Sequence, residues 1–457
     1  MPLPEEKRPG ESAELAYRIS CCLSGPQLAL RSPGSEGYPY WLSTSFPVFI
    51  RFYFWNVTNW EDVLSKQARP ILQEMGPYTY REEHQKVNIT WNSNDTVTYM
   101  QIKTWFFEPD MSNGTVEDRV TTLNVPLLAA ADSVKDMGRL VKYMFNLMVN
   151  RVGSQAFVTK TVREFLFEGY NDPLLDAAVA MEQFLHIAVP FDKFGWFYAR
   201  NTTPYYDGVV NMDTGSDVSR MGNIYSWNYS DTSSAFAGSC NMLNGSAGEL
   251  FPARLHKDFI QFFSTDLCRT LKVPYQKEAS VYDLTANRYA ATEMLFGSPE
   301  VNPDNWCNCH GECPPSGLLD QSHCRQSMQA FVSLPHMLFA DPEAINETEG
   351  QRPEADVHNF HIDIEPTTGT SVSVRARFQI NLLLKSNPDI KVLNHLPRAH
   401  MPMFWFENAV DTTPELAAQF ITITGTIPLA LQVGSWVITA LGGLVLAGGA
   451  ALCMHRV

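Results

Sequence analysis

The sequence predicts an α+β protein built on a large antiparallel sheet or barrel and ending in a transmembrane helix. Three stretches carry that expectation. Between Ser371 and Leu384, the apolar Val372, Val374, Ala376, Phe378, Ile380, Leu382 and Leu384 alternate with Ser371, Ser373, Arg375, Arg377, Gln379 and Asn381, which is the two-residue period of a strand. A strand that long needs a large antiparallel sheet beside it. Between Asp132 and Val149, Val134, Met137, Val141, Met144, Phe145 and Met148 recur at the helical period. Ile427–Met454 carries no charge over 28 residues, about 42 Å of helix against the ~20 residues a bilayer needs.

Taken in order, residues 1–37 are first charged and proline-rich. Arg18, Pro26 and Arg31 then interrupt the only apolar run, so neither a transmembrane helix nor a signal peptide is read there. Cys21 and Cys22 read as unpaired, with palmitoylation at a membrane face as the alternative. The aromatic and β-branched run Phe46–Asn56 predicts a strand, Met75–Glu82 a second that turns on Gly-Pro, and Thr96–Phe107 a third.

The helix over 132–149 takes Asp132 or Ser133 as its N-cap. Lys135, Arg139 and Lys142 fall at i, i+4 and i+7, making one face basic. From Lys135 to Arg163 there are six Lys or Arg against one acid, Asp136, in a chain of net charge −15. A solvated face explains this; so does a docking patch for anionic ligands. A second helix runs from Pro173 to about Ile187, with His186 packed within it. Residues 190–260 read as loops and short strands, and 358–365 forms a hairpin with the long strand across the turn PTTG. Gly443, Ala447 and Ala451 place small residues in a row that suits helix association, and homo-oligomers stay open.

Charge and cysteine usage narrow the class. The net charge of −15 argues against nucleic acid as a partner. Six of nine cysteines (Cys240, Cys268, Cys307, Cys309, Cys313 and Cys324) cluster in mid-chain, four of them within eighteen residues. Their C-x-C, C-x(3)-C and C-x(10)-C spacings match no common zinc pattern, so no metal is expected. Sequons at Asn56, Asn88, Asn94, Asn113, Asn201, Asn228, Asn244 and Asn346 point to a secreted or lumenal surface. In that compartment the six cysteines form three disulfides, with 15 connectivities open. Their task is to staple the middle of the chain. No HExxH, GxSxG, P-loop or dinucleotide fingerprint occurs, so neither an enzyme nor a cofactor is expected.

A lone hydrophobic segment at the C-terminus would leave residues 1–426 in the cytosol, whereas sequons and disulfides demand the opposite side. The expectation is that a signal or first transmembrane segment is missing from this sequence.

Several segments together resemble the class B scavenger receptor family: FYFWNVTNWEDVL (52–64), EMGPYTYRE (74–82), FEPDMSNGTVED (107–118), TLNVPLLAAA (122–131) and TVREFLFEGYNDPLL (161–175). So do QFFSTDLCRTL (261–271), NPDNWCNC (302–309), SLPHMLFADP (333–342), DIEPTTG (363–369) and the strand Arg377–Asn381. The resemblance implies an irregular antiparallel β-barrel ectodomain over 38–426, glycosylated and disulfide-bonded, with a membrane-distal helical cap at about 132–187. It further implies a hydrophobic tunnel through the barrel, a transmembrane helix over 427–454 and a short cytosolic tail at 455–457. By position, a basic ligand-binding residue falls at Arg151, with Gly153 where a second lysine is usual and Lys135, Arg139 and Lys142 as compensating cations. By cysteine order the pairs are Cys240–Cys307, Cys268–Cys324 and Cys309–Cys313. The implied function is a plasma-membrane scavenger receptor for lipids, fatty acids, modified lipoproteins or phosphatidylserine surfaces. A lysosomal or sensory-cell lipid carrier of the same fold is the alternative.

Overall fold

The computed structural model describes residues 29–35, 37–43, 47–185, 192–309, 311–324 and 330–454. The readings for residues 1–28, including Cys21 and Cys22, for His186 and for the tail 455–457 lie outside these. The described strands are β1 (Val48–Val57), β2 (Leu72–Trp91), β3 (Thr96–Phe107), β4 (Arg119–Leu123), β5 (Phe157–Thr161), β6 (Val210–Asp213), β7 (Ile224–Trp227) and β8 (Phe259–Ser264). There follow β9 (Arg269–Val281), β10 (Leu284–Ala290), β11 (Leu319–Asp320), β12 (Ala330–Ser333), β13 (His361–Glu365), β14 (Thr370–Leu384) and β15 (Ala399–Asp411). The longer helices are α1 (Val125–Ser133), α2 (Arg139–Val152), α3 (Pro173–Leu185), α4 (Pro414–Ile421) and α5 (Ile427–Met454).

Thirteen of these strands make one antiparallel sheet in the order β7-β6-β3-β2-β1-β15-β14-β13-β10-β9-β8, with β12 and β11 branching from β14. The sheet nearly closes into a barrel. Its two edges are joined through residues 245–247: Gly245 accepts a hydrogen bond from Ile224 N (2.8 Å), and Ser246 bonds Gln261 O and Phe263 N on β8. Gly245 sits at φ +74°, where an added Cβ would stand 2.1 Å from Gln261 O, so only glycine lets the two edges approach.

Strand expectations hold where alternation is strong. β3 spans Thr96–Phe107 as read, and β14 differs from its predicted start by one residue. β2 differs. It runs unbroken for 20 residues through Gly76-Pro77, because that dipeptide forms a bulge opposite Tyr53 and not a turn. On one face of the sheet Phe52, Phe404, Phe406, Phe197 and Phe167 interlock, their centroids 5.0–6.5 Å apart. On the other, Tyr53 stacks on Trp405 at 3.7 Å, beside the buried amides Gln379 and Asn381. The polar side of β14 is therefore buried as deeply as its apolar side. Trp55 Nε1 donates to Gln379 (3.1 Å) and Gln379 donates to Asn381 (2.9 Å), so these buried amides are paired.

α5 matches the uncharged stretch residue for residue. It continues the helix begun by α4, whose Ala417 and Phe420 pack on Leu284, Ala286 and Val372 of the sheet. Residues 414–445 are long and apolar enough to cross a membrane, the one such helix among the described residues.

Candidate functional site

Three helices, α1, α2 and α3, pack together at residues 125–185. α1 starts where Asn124 Oδ1 accepts from Leu127 N, with Pro126 in the first turn. It ends at Ser133, so the predicted single helix over 132–149 is two helices. Gly138, in extended conformation, is the true N-cap of α2, and Asp132 and Ser133 close α1 instead. Glycine opposes helix continuation, and the apolar stripe masked the break.

That break puts Lys135 on a different element from Arg139 and Lys142. Lys135 lies between the helices and pairs with Asp132 (3.1 Å). Lys142 is drawn down to Asp389 (2.6 Å), while Asn146 bonds the backbone of Asp389 and Lys391 on either side. Lys160 rests over the Tyr170 ring, and Arg163 meets Glu117 and Glu168. Arg139 and Arg151 stay exposed at opposite ends of α2, roughly 18 Å apart along its axis.

What joins them is apolar. α2 buries Phe145 and Val149 against the core and turns Leu140, Tyr143, Met144 and Leu147 outward. These four sit at i, i+3, i+4 and i+7 and form one stripe, with Leu140 74% and Leu147 47% exposed. Sequence reasoning placed Met144 in its single stripe and passed over Leu140, Tyr143 and Leu147, because the helix is apolar on two sides and one stripe was sufficient to predict it. The second stripe was the available signal. Below α1, a cavity of about 120 Å³ is lined by Leu128, Ala131, Leu382 and Leu393, with Lys135 and Lys385 also on its wall.

Cystines bind the chain elsewhere: Cys240 to Cys307, Cys268 to Cys324 and Cys309 to Cys313. The stretch Asn302–Cys309 is held from beneath by Arg269, which donates to Asn305 (2.6 Å) and Asn308. Burial pushes the Arg269 guanidinium down to about 10. Among the described residues no three His, Cys, Asp or Glu are grouped to hold a metal. Of the sequon asparagines, Asn88, Asn94, Asn113, Asn228, Asn244 and Asn346 are exposed. Asn56 and Asn201 are half-buried, accepting hydrogen bonds from Thr121 N and Trp105 N.

A layer of buried charge crosses the sheet between β2 and β3. Lys86 pairs with Glu249 (2.6 Å), and Lys103 meets Asp207 (2.8 Å), which also binds Arg200 (2.9 Å). Burial would raise the Glu82 carboxyl, but His84, Lys103 and the Trp105 indole hold it down at about 2. Each charge in this layer has an opposite partner, as burial requires.

Comparison with known proteins agrees with this architecture. The CD36 family model matches residues 22–453. Protein peste of Drosophila melanogaster is 32% identical over 433 residues, covering 93% of this chain and 76% of its own. Scavenger receptor class B member 1 of Rattus norvegicus is 31% identical over 418 residues (91% of this chain, 80% of that one). Lysosome membrane protein 2 of Mus musculus is 31% identical over 416 residues (90% and 84%). With a family model spanning nearly the whole described chain and relatives above 30% identity along most of their length, the chain belongs to the CD36 family.

Proposed function

We propose that the chain is a membrane-anchored scavenger receptor that binds anionic lipid, lipoprotein or apoptotic-cell surfaces through its three-helix bundle. From there it passes lipid along a hydrophobic tunnel in the barrel toward the bilayer, without covalent chemistry. In this reading residues 38–426 lie outside the cell, glycosylated, with the bundle as a membrane-distal cap; 427–454 span the plasma membrane and 455–457 face the cytosol.

One observation carries the reading: an exposed apolar stripe, Leu140–Tyr143–Met144–Leu147, framed by Arg139 and Arg151 on a protein of net charge −15. Apolar side chains enter the acyl boundary of a lipid surface while the arginines meet its anionic headgroups. Lys135, exposed beside Asp132, and Lys142, turned to Asp389, add cations at the side of this stripe. The cavity under α1 is smaller than the ~300 Å³ of a typical small-molecule site, so it takes in the end of an acyl chain at most until the helices part.

Binding of phosphatidylserine vesicles and of oxidised lipoprotein to the full chain, wild type against R139E/R151E and L140S/Y143S/L147S, tests this. Both variants should lose binding at least tenfold, about 1.4 kcal/mol, with an unchanged melting temperature. Wild-type binding by both would overturn the assignment. A lysosomal or sensory-cell lipid carrier is the second reading, supported by the 31% identity to lysosome membrane protein 2 of Mus musculus. Surface or lysosomal staining of the full chain decides between them.

A further inference from the structure

A strap of chain, residues 350–358, crosses the Tyr53–Trp405 face of the sheet. It leaves β2 at Gly350, whose φ of +116° puts a would-be Cβ 2.2 Å from Leu72 O, and is pinned again by Arg377, which donates to Asn359 O (2.8 Å). Between these points His336 ties the strap to the sheet, and His358 closes the strap's own last turn. His336 Nδ1 accepts from Arg352 N (2.9 Å), and His358 Nδ1 accepts from Glu354 N (2.9 Å). The two rings are buried and stacked, centroids 4.0 Å apart and planes 21° from parallel.

The hydrogen bonds assign the protons. A ring nitrogen that accepts from a backbone N–H carries no hydrogen, so each imidazole is neutral with its proton on Nε2. His336 Nε2 donates that proton to Glu74 Oε1 (3.1 Å), which also accepts from Trp405 Nε1. Such rings are poor metal ligands, because Nε2 is protonated and Nδ1 is occupied.

We propose that this histidine pair is an acid-opened latch. A proton taken from solvent by Nδ1 turns an acceptor into a donor aimed at a backbone N–H: at His358 this opens the strap's own turn, and at His336 it releases Arg352 and with it the 350–358 strap from the sheet. Two imidazolium rings cannot remain stacked at 4.0 Å, so the pair parts as well as the strap. Opening widens the cavity of about 340 Å³ that already lies between the strap and Glu74, His336 and His358.

Every packed element contributes a charge to this balance. Glu74 of β2 favours the imidazolium, Arg377 of β14 opposes it and is held by Glu407 of β15, and Arg51 and Tyr53 of β1 flank that pair. Arg352, Glu354 and Asp356 belong to the strap itself. Burial first, then the charge His336 carries once it is protonated, push His358 down to about 4 against the pull of Glu74, with Arg377 adding to the depression. The sign follows: a folded-state value below the ordinary 6.5 keeps the strap closed above pH 6.5 and weakens it progressively as pH falls toward 4. The acid compartments of a cell lie within that window.

Hydrogen exchange of the full chain in detergent micelles, corrected for the intrinsic pH dependence, reads the latch directly. Between about pH 7.5 and about pH 4.5, peptides over 348–360 should lose protection on the order of tenfold or more while β14 keeps its own. H336N/H358N, whose side-chain oxygens accept the same N–H groups and do not titrate, should hold protection constant with pH. E74Q, which keeps both histidines and removes only the favouring charge, should move opening to lower pH. Unchanged protection in the wild type, equal loss in β14, or wild-type midpoints in either variant would overturn the proposal.

Discussion

Lys86 shows what a single residue contributes here. Its side chain is 2% exposed and its ammonium depends on Glu249 for compensation, so removing the acid leaves a buried charge unpaired. E249A should destabilise the protein by about 3–5 kcal/mol, and K86M/E249L by much less, measured by thermal or denaturant unfolding. The same scale bears on the sequons. Asn56 lies within β1 with its side-chain oxygen bound to Thr121 N, and Asn201 is tied to Trp105 N. Glycopeptide mass spectrometry should find Asn88, Asn94, Asn113, Asn228, Asn244 and Asn346 modified and Asn56 bare; a glycan on Asn56 would mean that β1 is reached before it pairs. Glu74, His336 and His358 could not be found from sequence. They carry no motif spacing, and only the pairing of β1 with β2 and β15 brings the first to the other two.

At the scale of elements, legibility followed periodicity. β3, β14 and α5 were readable because alternation or hydropathy runs unbroken along each. The length of β2 was not, since Gly76-Pro77 reads locally as a turn and its bulge is decided by the partner strand. The split of α1 from α2 was lost to an apolar stripe that continues across Gly138. Disulfides act on elements too, each according to the loop it closes. Cys240–Cys307 and Cys268–Cys324 close separations of 67 and 56 residues, and Cys309–Cys313 only 4. Chain entropy gives each long bridge about 4 kcal/mol and the short one about 2. C240S/C307S should therefore lower the melting temperature clearly more than C309S/C313S.

Over the whole molecule, net charge sets a test that single residues cannot. At −15 the protein repels an anionic particle at long range, and the two arginines of α2 act only close in. Adhesion driven by the apolar stripe should survive salt: vesicle binding at about 0.5 M should stay within roughly tenfold of that at 0.1 M. A steep loss would return the weight to charge alone. Acid should act in two stages. Stability conferred by neutral His358 falls as pH drops from 6.5 toward 4, and that of ionised Glu82 from 4.5 toward 2. The melting temperature should accordingly be highest near neutrality.

The junction at residues 245–247 has one more consequence. Elsewhere the barrel is held by full strand ladders, but along this line a few hydrogen bonds around Ser246 do the work of a ladder. Cys240 stands just before the junction and Cys268 just after β8, and both are tied to the same stretch, at Cys307 and Cys324. The barrel thus has a seam, riveted on both sides by a later part of the chain. During synthesis Cys240 can be tied once Cys307 emerges and Cys268 once Cys324 does, both before β13, β14 and β15 are made, so the seam can be riveted before the barrel is able to shut. A reductant reaching the finished protein would unzip it there first.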